Sequence, residues 1–266
     1  MGVSTFECKC CKILCLLKNL YYITNMISKL QLQAIIEKYH LNGQIENVKW
    51  EIDADGKLTI NFTAPTREML GTVTYNGFPL PESEIGINNT TQLDKLLSIT
   101  GGDLDLGYAK EGRIISKLLI ADNQFNLDYA LADLLTIPKT GKYNGSEDHE
   151  IQVAVDNEAI TALVKAKNAL TNSDNVVVKL GLNGLEFTFG GDVEYANKVT
   201  YSIQNPTINV PSTFNLVYGS DLLKEILVAN KGSEFGILYI NSNGLMKLSF
   251  SHKELQSTYY IVAKEQ

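Results

Sequence analysis

The stretch that decides the fold is residues 157–184, which read NEAITALVKAKNALTNSDNVVVKLGLNG. Its first half predicts an amphipathic helix, because apolar residues recur at spacings of three and four and Lys165 points away from them. Its second half is a valine-rich run that ends in Asn183-Gly184. Asn-Gly is a strong hairpin signal, since both central positions of a type I′ turn need positive φ. The stretch therefore predicts one helix followed by a pair of antiparallel strands.

The same unit occurs four times along the chain. In each unit a helix lysine is followed 16 to 19 residues later by an X-Gly turn: Lys38 by Asp55-Gly56, Lys95 by Glu111-Gly112, Lys165 by Asn183-Gly184, and Lys224 by Asn243-Gly244. This nearly constant spacing indicates one module used four times. Each lysine lies off the apolar stripe of its helix, so we predict four helices that each present a cation on the polar side.

Single helices that alternate with blocks of antiparallel strands predict an α+β fold with the helices on one face of the sheets. We place one domain at residues 26–129 and a second at 149–266, each with two units. Residues 130–148 lose the repeated pattern and contain Pro138, Gly141, Asn144 and Gly145, so they are expected to form the connector. Residues 1–25 are interpreted as a non-native or dispensable extension, because Met26 stands directly before the first helix.

The cysteines indicate the compartment. All four, Cys8, Cys10, Cys11 and Cys15, lie in the first fifteen residues, so the rest of the fold does not depend on disulfides and we expect a cytoplasmic protein, in the host cytoplasm if the protein is viral. The cluster has enough thiolates for zinc, but no second ligand pair or nearby histidine supports a metal site. The apolar run next to it is interrupted at Lys18 and is too short for a membrane span.

Charge and motifs limit the chemistry. A net charge of −7 and a pI near 5.1 argue against binding nucleic acid through bulk positive charge, so any such contact would need a local patch. No phosphate-binding loop, nucleophile elbow or zinc-protease motif occurs in the sequence. Asp103 and Asp105 alternate on a predicted strand, which is more typical of a solvated face than of a catalytic pair. We therefore expect a protein without enzymatic activity and without a cofactor.

Three stretches resemble the DNA sliding clamps, and more narrowly the clamp of T-even-type bacteriophages. The start Met26-Ile-Ser-Lys-Leu, with Ala34-Ile-Ile-Glu-Lys-Tyr, is similar to the N-terminal helix of that clamp. Residues 158–170 resemble the first helix of its second domain, where a basic residue also occupies the place of Lys165. Residues 257–264, STYYIVAK, resemble the last strand of that clamp and of proliferating cell nuclear antigen. Residues 1–25 have no counterpart in the family.

The resemblance implies a head-to-tail homotrimer that closes a ring around duplex DNA, with helices lining the hole. A sliding contact must be weak and independent of sequence, so a few lysines that face phosphates suffice. The candidates for contact with DNA are Lys38, Lys95, Lys165 and Lys224, with Lys29, Lys167 and Lys231 as secondary candidates. Reversing the four central lysines to glutamate is expected to leave the fold intact.

The resemblance also implies partners. Clamps take a hydrophobic peptide of the DNA polymerase near the connector and the last strand, and a separate clamp-loader ATPase opens the ring. Carried over, the partner site would consist of Leu134, Leu135, Ile137, Tyr260, Val262 and Ala263, although the same side chains could simply complete the core. The two faces of the ring contact should be different sheet edges, one from each domain.

Two other classes stay open from the sequence. A strand-rich, acidic trimer without a ligand would be a structural or virion protein, but such a protein has no reason to repeat a lysine opposite the apolar stripe four times. The second alternative is an enzyme with an unfamiliar active site, and only Asp103 and Asp105 support it.

Overall fold

A computed structural model of the chain describes residues 20–21, 26–112, 114–145, 149–182, 184–191, 196–209 and 214–265. The described residues form four α-helices: α1 (Lys29–His40), α2 (Thr90–Ser98), α3 (Asn157–Ala169) and α4 (Ser220–Ala229). Side-chain oxygens of Ser28, Asn89 and Asp156 accept backbone N–H bonds at the starts of the first three, which satisfies donors that have no partner inside the helix.

The strands lie between these helices in blocks. They are β1 (Leu20–Tyr21), β2 (Met26–Ser28), β3 (Val48–Ile52), β4 (Lys57–Thr63), β5 (Met69–Asn76), β6 (Ser83–Ile87), β7 (Asp103–Glu111), β8 (Ile114–Ala121), β9 (Asn126–Ala130), β10 (Ile151–Ala154), β11 (Asn175–Gly181), β12 (Gly184–Gly190), β13 (Lys198–Ile203), β14 (Thr207–Ile208), β15 (Asn215–Gly219), β16 (Phe235–Ile240), β17 (Leu245–His252) and β18 (Leu255–Val262).

The largest sheet joins the two halves of the chain. Its nine strands run in the order β14-β10-β16-β17-β18-β5-β4-β3-β6. The halves meet where the last strand, β18, pairs antiparallel with β5, in a register that sets Tyr259 opposite Gly71. A smaller sheet flanks each half, ordered β1-β7-β8-β9 with β2 also on β7, and β13-β12-β11-β15. Strand β9 is one edge of the first flanking sheet and β13 is one edge of the second, with β1 and β15 at the opposite edges.

The hydrophobic core is continuous across the junction of the halves. Buried rings of Tyr39 on α1, Phe62 on β4 and Tyr259 on β18 follow one another, with centroids 6.4 Å and then 6.1 Å apart. Gly71 lies beneath Phe62, and a Cβ on it would come within 2.2 Å of the ring. A side chain at residue 71 would therefore displace the ring at the centre of the core.

The α+β class and the order of helices and strands agree with the sequence analysis. The helix predicted in residues 157–184 and the strand after it are present, as is the helix at Ser220–Ala229. Short strands that lead into helices, β2, β6 and β15, were not predicted, because three to five residues are too few for a clear period. Of residues 1–25, only β1 is described, and it pairs with Tyr108 and Ala109 on β7.

The type I′ turn predicted at Asn243-Gly244 is wrong, because only its glycine has positive φ. Gly56, Gly112, Gly184 and Gly244 all have positive φ, but Asp55, Glu111 and Asn243 do not. Gly244 N–H donates to the carbonyl of Asn241, and Asn241 N–H donates to that of Leu245. This geometry is a three-residue loop that ends in a left-handed glycine, and residues 53–57 repeat it with Gly56. At the other two turns Glu111 pairs with Ile114 and Gly181 pairs with Gly184, so those loops contain two residues. Asn183 lies outside the described residues.

Candidate functional site

Three of the predicted lysines are exposed to solvent, two of them on helices. Helix α2 buries Thr90, Leu93 and Leu97, and Lys95 is exposed on its other side. Helix α3 repeats this arrangement, with Lys165 exposed opposite its buried stripe. Lys231, just past the end of α4, is exposed as well. These three cations match the predicted pattern of charge on the polar side of the helices.

The prediction that Lys38 projects from the polar side of its helix is wrong. Its side chain is only 6% exposed, because helix α4 covers this side of α1. The Lys38 Nζ donates to Oδ1 of Asn230 at 2.8 Å and more weakly to the carbonyl of Ala229 at 3.4 Å. Burial lowers the pKa of Lys38 to about 8, and the neighbouring Glu37 partly opposes this shift. Lys38 therefore links the two halves of the chain instead of facing solvent.

Asn230 is the centre of this link. It is fully buried and its amide donates to the hydroxyl of Tyr259 at 3.0 Å, while Ser257 Oγ donates to its Oδ1 at 2.7 Å. The Tyr259 hydroxyl in turn donates to the carbonyl of Lys38 at 2.7 Å. A network whose members are all hydrogen-bonded holds α1, α4 and β18 together.

The positive charge of Lys224 is compensated by a neighbouring carboxylate. Its Nζ lies 3.0 Å from a carboxylate oxygen of Glu225, and its side chain is 27% exposed. A groove of about 510 Å³ beside it is lined by Lys224, Glu225, Glu37, Asp94 and His40 among others. Burial and the charge of Asp94 raise the pKa of Glu37. The junction between α1 and α4 is thus acidic or neutral, not cationic.

Two of the secondary lysines bind carbonyl groups at helix ends. Lys29 Nζ donates to the carbonyls of Ser98 and Thr100, at 2.9 and 2.6 Å, at the end of α2. Lys167 was expected along the edge of its helix, but it is buried, and its Nζ donates to the carbonyls of Thr171 and Ser173. A cation at a helix C-terminus stabilises the unpaired carbonyls, so both have a structural explanation.

Lys167 also pairs with helix α4. Its Nζ lies 3.2 Å from Oδ1 of Asp221 in the first turn of that helix. The Lys167 amine therefore binds carbonyl groups just after α3 and a carboxylate in the first turn of α4.

Some residues of the predicted partner site are exposed, and others are buried. Leu134 and Leu135 lie on a 3₁₀ turn (Leu134–Thr136) and are 38% and 90% exposed, and Val262 is 50% exposed. Ile137 is only 7% exposed, since it packs beneath the connector next to Gly86. Its side chain is therefore not available to a partner. Ala263 is half-buried against the core.

Tyr260 has an aromatic neighbour that sequence analysis missed. The ring of Tyr143, in the connector, stacks on the ring of Tyr260 with centroids 4.3 Å apart and an angle of 21°. No periodicity along the chain indicates this contact, because Tyr143 lies in an irregular segment and its neighbour Tyr260 lies on the last strand.

The described residues contain no cluster of three or more histidine, cysteine, aspartate or glutamate side chains placed to hold a metal ion. Asp103 and Asp105 lie on the exposed face of β7, as predicted for a solvated strand. In the same part of the chain, no helix is both long enough and apolar enough to cross a membrane. The cysteine cluster lies outside the described residues.

No protein-family model and no curated protein sequence matches the chain. Solved structures do. Proliferating cellular nuclear antigen from Entamoeba histolytica is 12% identical, over 94% of this chain and 100% of that one, with a TM-score of 0.73. The structure of A. fulgidus PCNA with the C-terminal region of FEN-1 bound is 14% identical, over 91% and 98%, with a TM-score of 0.70. The chain therefore has the DNA clamp fold.

Proposed function

We propose that this chain is a DNA sliding clamp, a ring of three copies that encircles duplex DNA and tethers a replicative DNA polymerase without catalysing a reaction itself. The observation that carries the proposal is the clamp fold over almost the whole chain, combined with exposed lysines on the helices α2 and α3.

The DNA contact in this proposal is electrostatic. Lys95 and Lys165, with Lys231, are the exposed candidates among the predicted lysines. Each neutralises phosphate charge without reading bases, which permits sliding. The chain as a whole carries a net charge of −7, so the surface away from these lysines is acidic on average and repels DNA. Lys38, Lys167 and Lys29 are not needed for this contact, because their amines bind groups of the protein.

In the proposed ring, neighbouring copies would contact each other through one edge strand of each flanking sheet, β9 and β13. β9 pairs only with β8, and β13 pairs only with β12, among the described strands. They belong to different halves of the chain, so β9 of one copy meeting β13 of the next gives a heterologous contact of the kind that closes rings. Asp128, exposed on β9, is already paired with Lys117 on β8 at 2.9 Å, so the proposed contact rests on the unpaired edges of the two strands and not on a charge pair between copies.

The partners follow from the same proposal. Exposed Leu134, Leu135 and Val262 offer apolar surface to a polymerase peptide, and a clamp-loader ATPase would open the ring, since the sequence has no phosphate-binding loop of its own. The T-even bacteriophage type and a location in the host cytoplasm rest on the resemblance of the first helix and the last strand.

The test is the solution mass of the full chain by light scattering, together with its retention on circular and linearised DNA after loading at moderate salt. We expect a mass near three subunits, with the protein retained on circles and lost from linear DNA because it slides off the ends. A monomer that ignores DNA topology would contradict the proposal and favour a structural protein.

A further inference from the structure

The connector places one of its own side chains on the outer face of the large sheet. Residues 138–145 have no regular secondary structure. Thr140 Oγ1 donates to the carbonyl of Asn61 on β4 at 3.0 Å, and three residues later the Tyr143 ring stacks on Tyr260. The connector thus crosses the sheet from the first half of the chain to the second with an aromatic ring laid flat on β18.

The surface beneath Tyr143 is suited to a planar ring. Lys247 on β17 lies directly across from Tyr260 in the strand register. Its Nζ is 5.6 Å from the centroid of the Tyr260 ring and 5.4 Å from that of Tyr239 on β16. Offset stacking and cation–π contacts each favour an aromatic ligand here. Three adjacent strands therefore contribute a tyrosine, a lysine and a tyrosine to one strip.

This aromatic strip, formed by Tyr239, Lys247 and Tyr260, adjoins the exposed apolar surface. Val262 lies two residues beyond Tyr260 on the same face of β18, because side chains alternate along a strand. Asn61, which holds the connector, also lines a groove of about 400 Å³ with Leu134. A peptide that covers Leu134 and Val262 would therefore pass beside the Tyr143 ring.

We propose that Tyr143 is an internal occupant of an aromatic-binding subsite, and that an aromatic side chain of a partner peptide displaces it from Tyr260. This inference rests on the proposed function, because it specifies the chemistry of the peptide that the partner site takes. The connector then has two states, closed with Tyr143 on Tyr260 and open with the partner's ring in its place.

An internal occupant lowers the apparent affinity in proportion to the fraction of time that it covers the site. If Tyr143 covers Tyr260 for nine-tenths of the time, the apparent dissociation constant is raised roughly tenfold. Removing the Tyr143 ring should remove this penalty and leave the subsite intact, since Tyr260 and Lys247 belong to β18 and β17.

The experiment uses the connector sequence itself as the aromatic probe. A fluorescent peptide of residues 138–145, PKTGKYNG, is titrated with the full chain, and its anisotropy gives the dissociation constant. We expect Tyr143→Ala to bind the peptide roughly tenfold more tightly than the natural chain. Tyr143→Phe keeps the ring, so it should bind the peptide less tightly than Tyr143→Ala does.

Two controls tie the gain to the subsite. Adding Tyr260→Ala to Tyr143→Ala should abolish the increase in affinity for the peptide. A peptide with alanine in place of its tyrosine should bind Tyr143→Ala no more tightly than it binds the natural chain. Thermal melting of each variant verifies that it is folded. Tyr143 is half-exposed in an irregular segment, so its truncation should leave the melting temperature close to that of the natural chain.

Equal affinity of the natural chain and Tyr143→Ala, including the absence of binding to both, would overturn the inference. The assay needs neither DNA nor a ring, so its outcome is separate from the test of the proposed function. A trimer that slides on circles without the gain would disprove only the internal occupant. A gain in a chain that ignores DNA would keep the subsite and disprove the clamp.

Discussion

All four helices carry a lysine at the same place in the repeat, but the surroundings of that lysine differ between two pairs of helices. The outer helices are α2 and α3, and the central helices are α1 and α4. The outer helices precede the two flanking sheets, and their lysines, Lys95 and Lys165, are exposed. The central helices contact each other where the halves of the chain meet. There Lys38 is buried on Asn230, and Lys224 is paired with Glu225.

This difference shows what a repeated motif determines. The apolar stripe decides which side of a helix faces its sheet. It does not decide whether a neighbouring helix covers another side. At the outer positions that side stays in solvent and keeps a free cation, whereas at the junction the end of α4 covers Lys38. The repeat therefore carries four similar lysines but only two free ones, along with Lys231 beyond it.

The largest effect should come from reversing the charge of the buried lysine. Lys38→Glu would place a carboxylate against two acceptors, the Asn230 Oδ1 and the Ala229 carbonyl, beside Glu37. We expect the free energy of unfolding to fall by about 3–5 kcal/mol, the usual effect of an uncompensated buried charge. Urea denaturation measures it.

The matched control is Lys95→Glu, at the equivalent position of an outer helix. An exposed substitution should change the stability by no more than about 0.5 kcal/mol. Similar stabilities for the two variants would remove the distinction between central and outer helices. The burial of Lys38 argues against the expectation that all four lysines can be reversed without loss of the fold.

A smaller effect is expected from pH. The pKa of Lys38 is about 8 in the folded protein and 10.5 in the unfolded chain, so the unfolded chain binds more protons between these values. The contribution of Lys38 to the free energy of unfolding should therefore rise with pH, by about 2 kcal/mol from pH 7.5 to 9.5.

The difference between the natural chain and Lys38→Met isolates this contribution. The titratable groups of the neighbouring groove, Glu37, His40, Asp94, Lys224 and Glu225, are the same in both proteins, and so are the buried tyrosines. Urea denaturation at several pH values should show that the free energy of unfolding of the natural chain rises with pH relative to that of the variant. A difference that is flat with pH would mean that the Lys38 amine is not desolvated.

The smallest free-energy effects concern DNA. Lys95→Glu combined with Lys165→Glu should reduce retention on circular DNA by about tenfold or more, because in the proposed clamp each copy would lose two phosphate contacts and gain two repulsions. Lys224→Ala should change retention by less than about twofold, since Glu225 already compensates that charge.

Lys57→Glu, at an exposed position on β4, is the matched charge reversal outside the helices and should leave retention nearly unchanged. Equal losses for Lys57→Glu and for the double variant would indicate a general effect of net charge. A large loss for Lys224→Ala would place the DNA contact on the central helices instead.

The sequence by itself determined the elements. Helical spacing and β-branched runs locate α3 and β11, and glycine marks the hairpins because only glycine adopts their positive φ freely. These signals are local, since they arise from steric limits and from the side on which each element is apolar. The α+β class and the order of the units followed from them.

Only the tertiary structure decided which polar groups are free. Lys38 and Lys95 look alike in sequence, yet one amine binds Asn230 and the other is exposed. Tyr143 meets Tyr260 across more than a hundred residues of chain. Burial depends on which distant elements pack together, and no spacing along the chain records that. The physical reason is that solvation and pairing of a charge or ring are properties of the surrounding fold, whereas periodicity is a property of the segment alone.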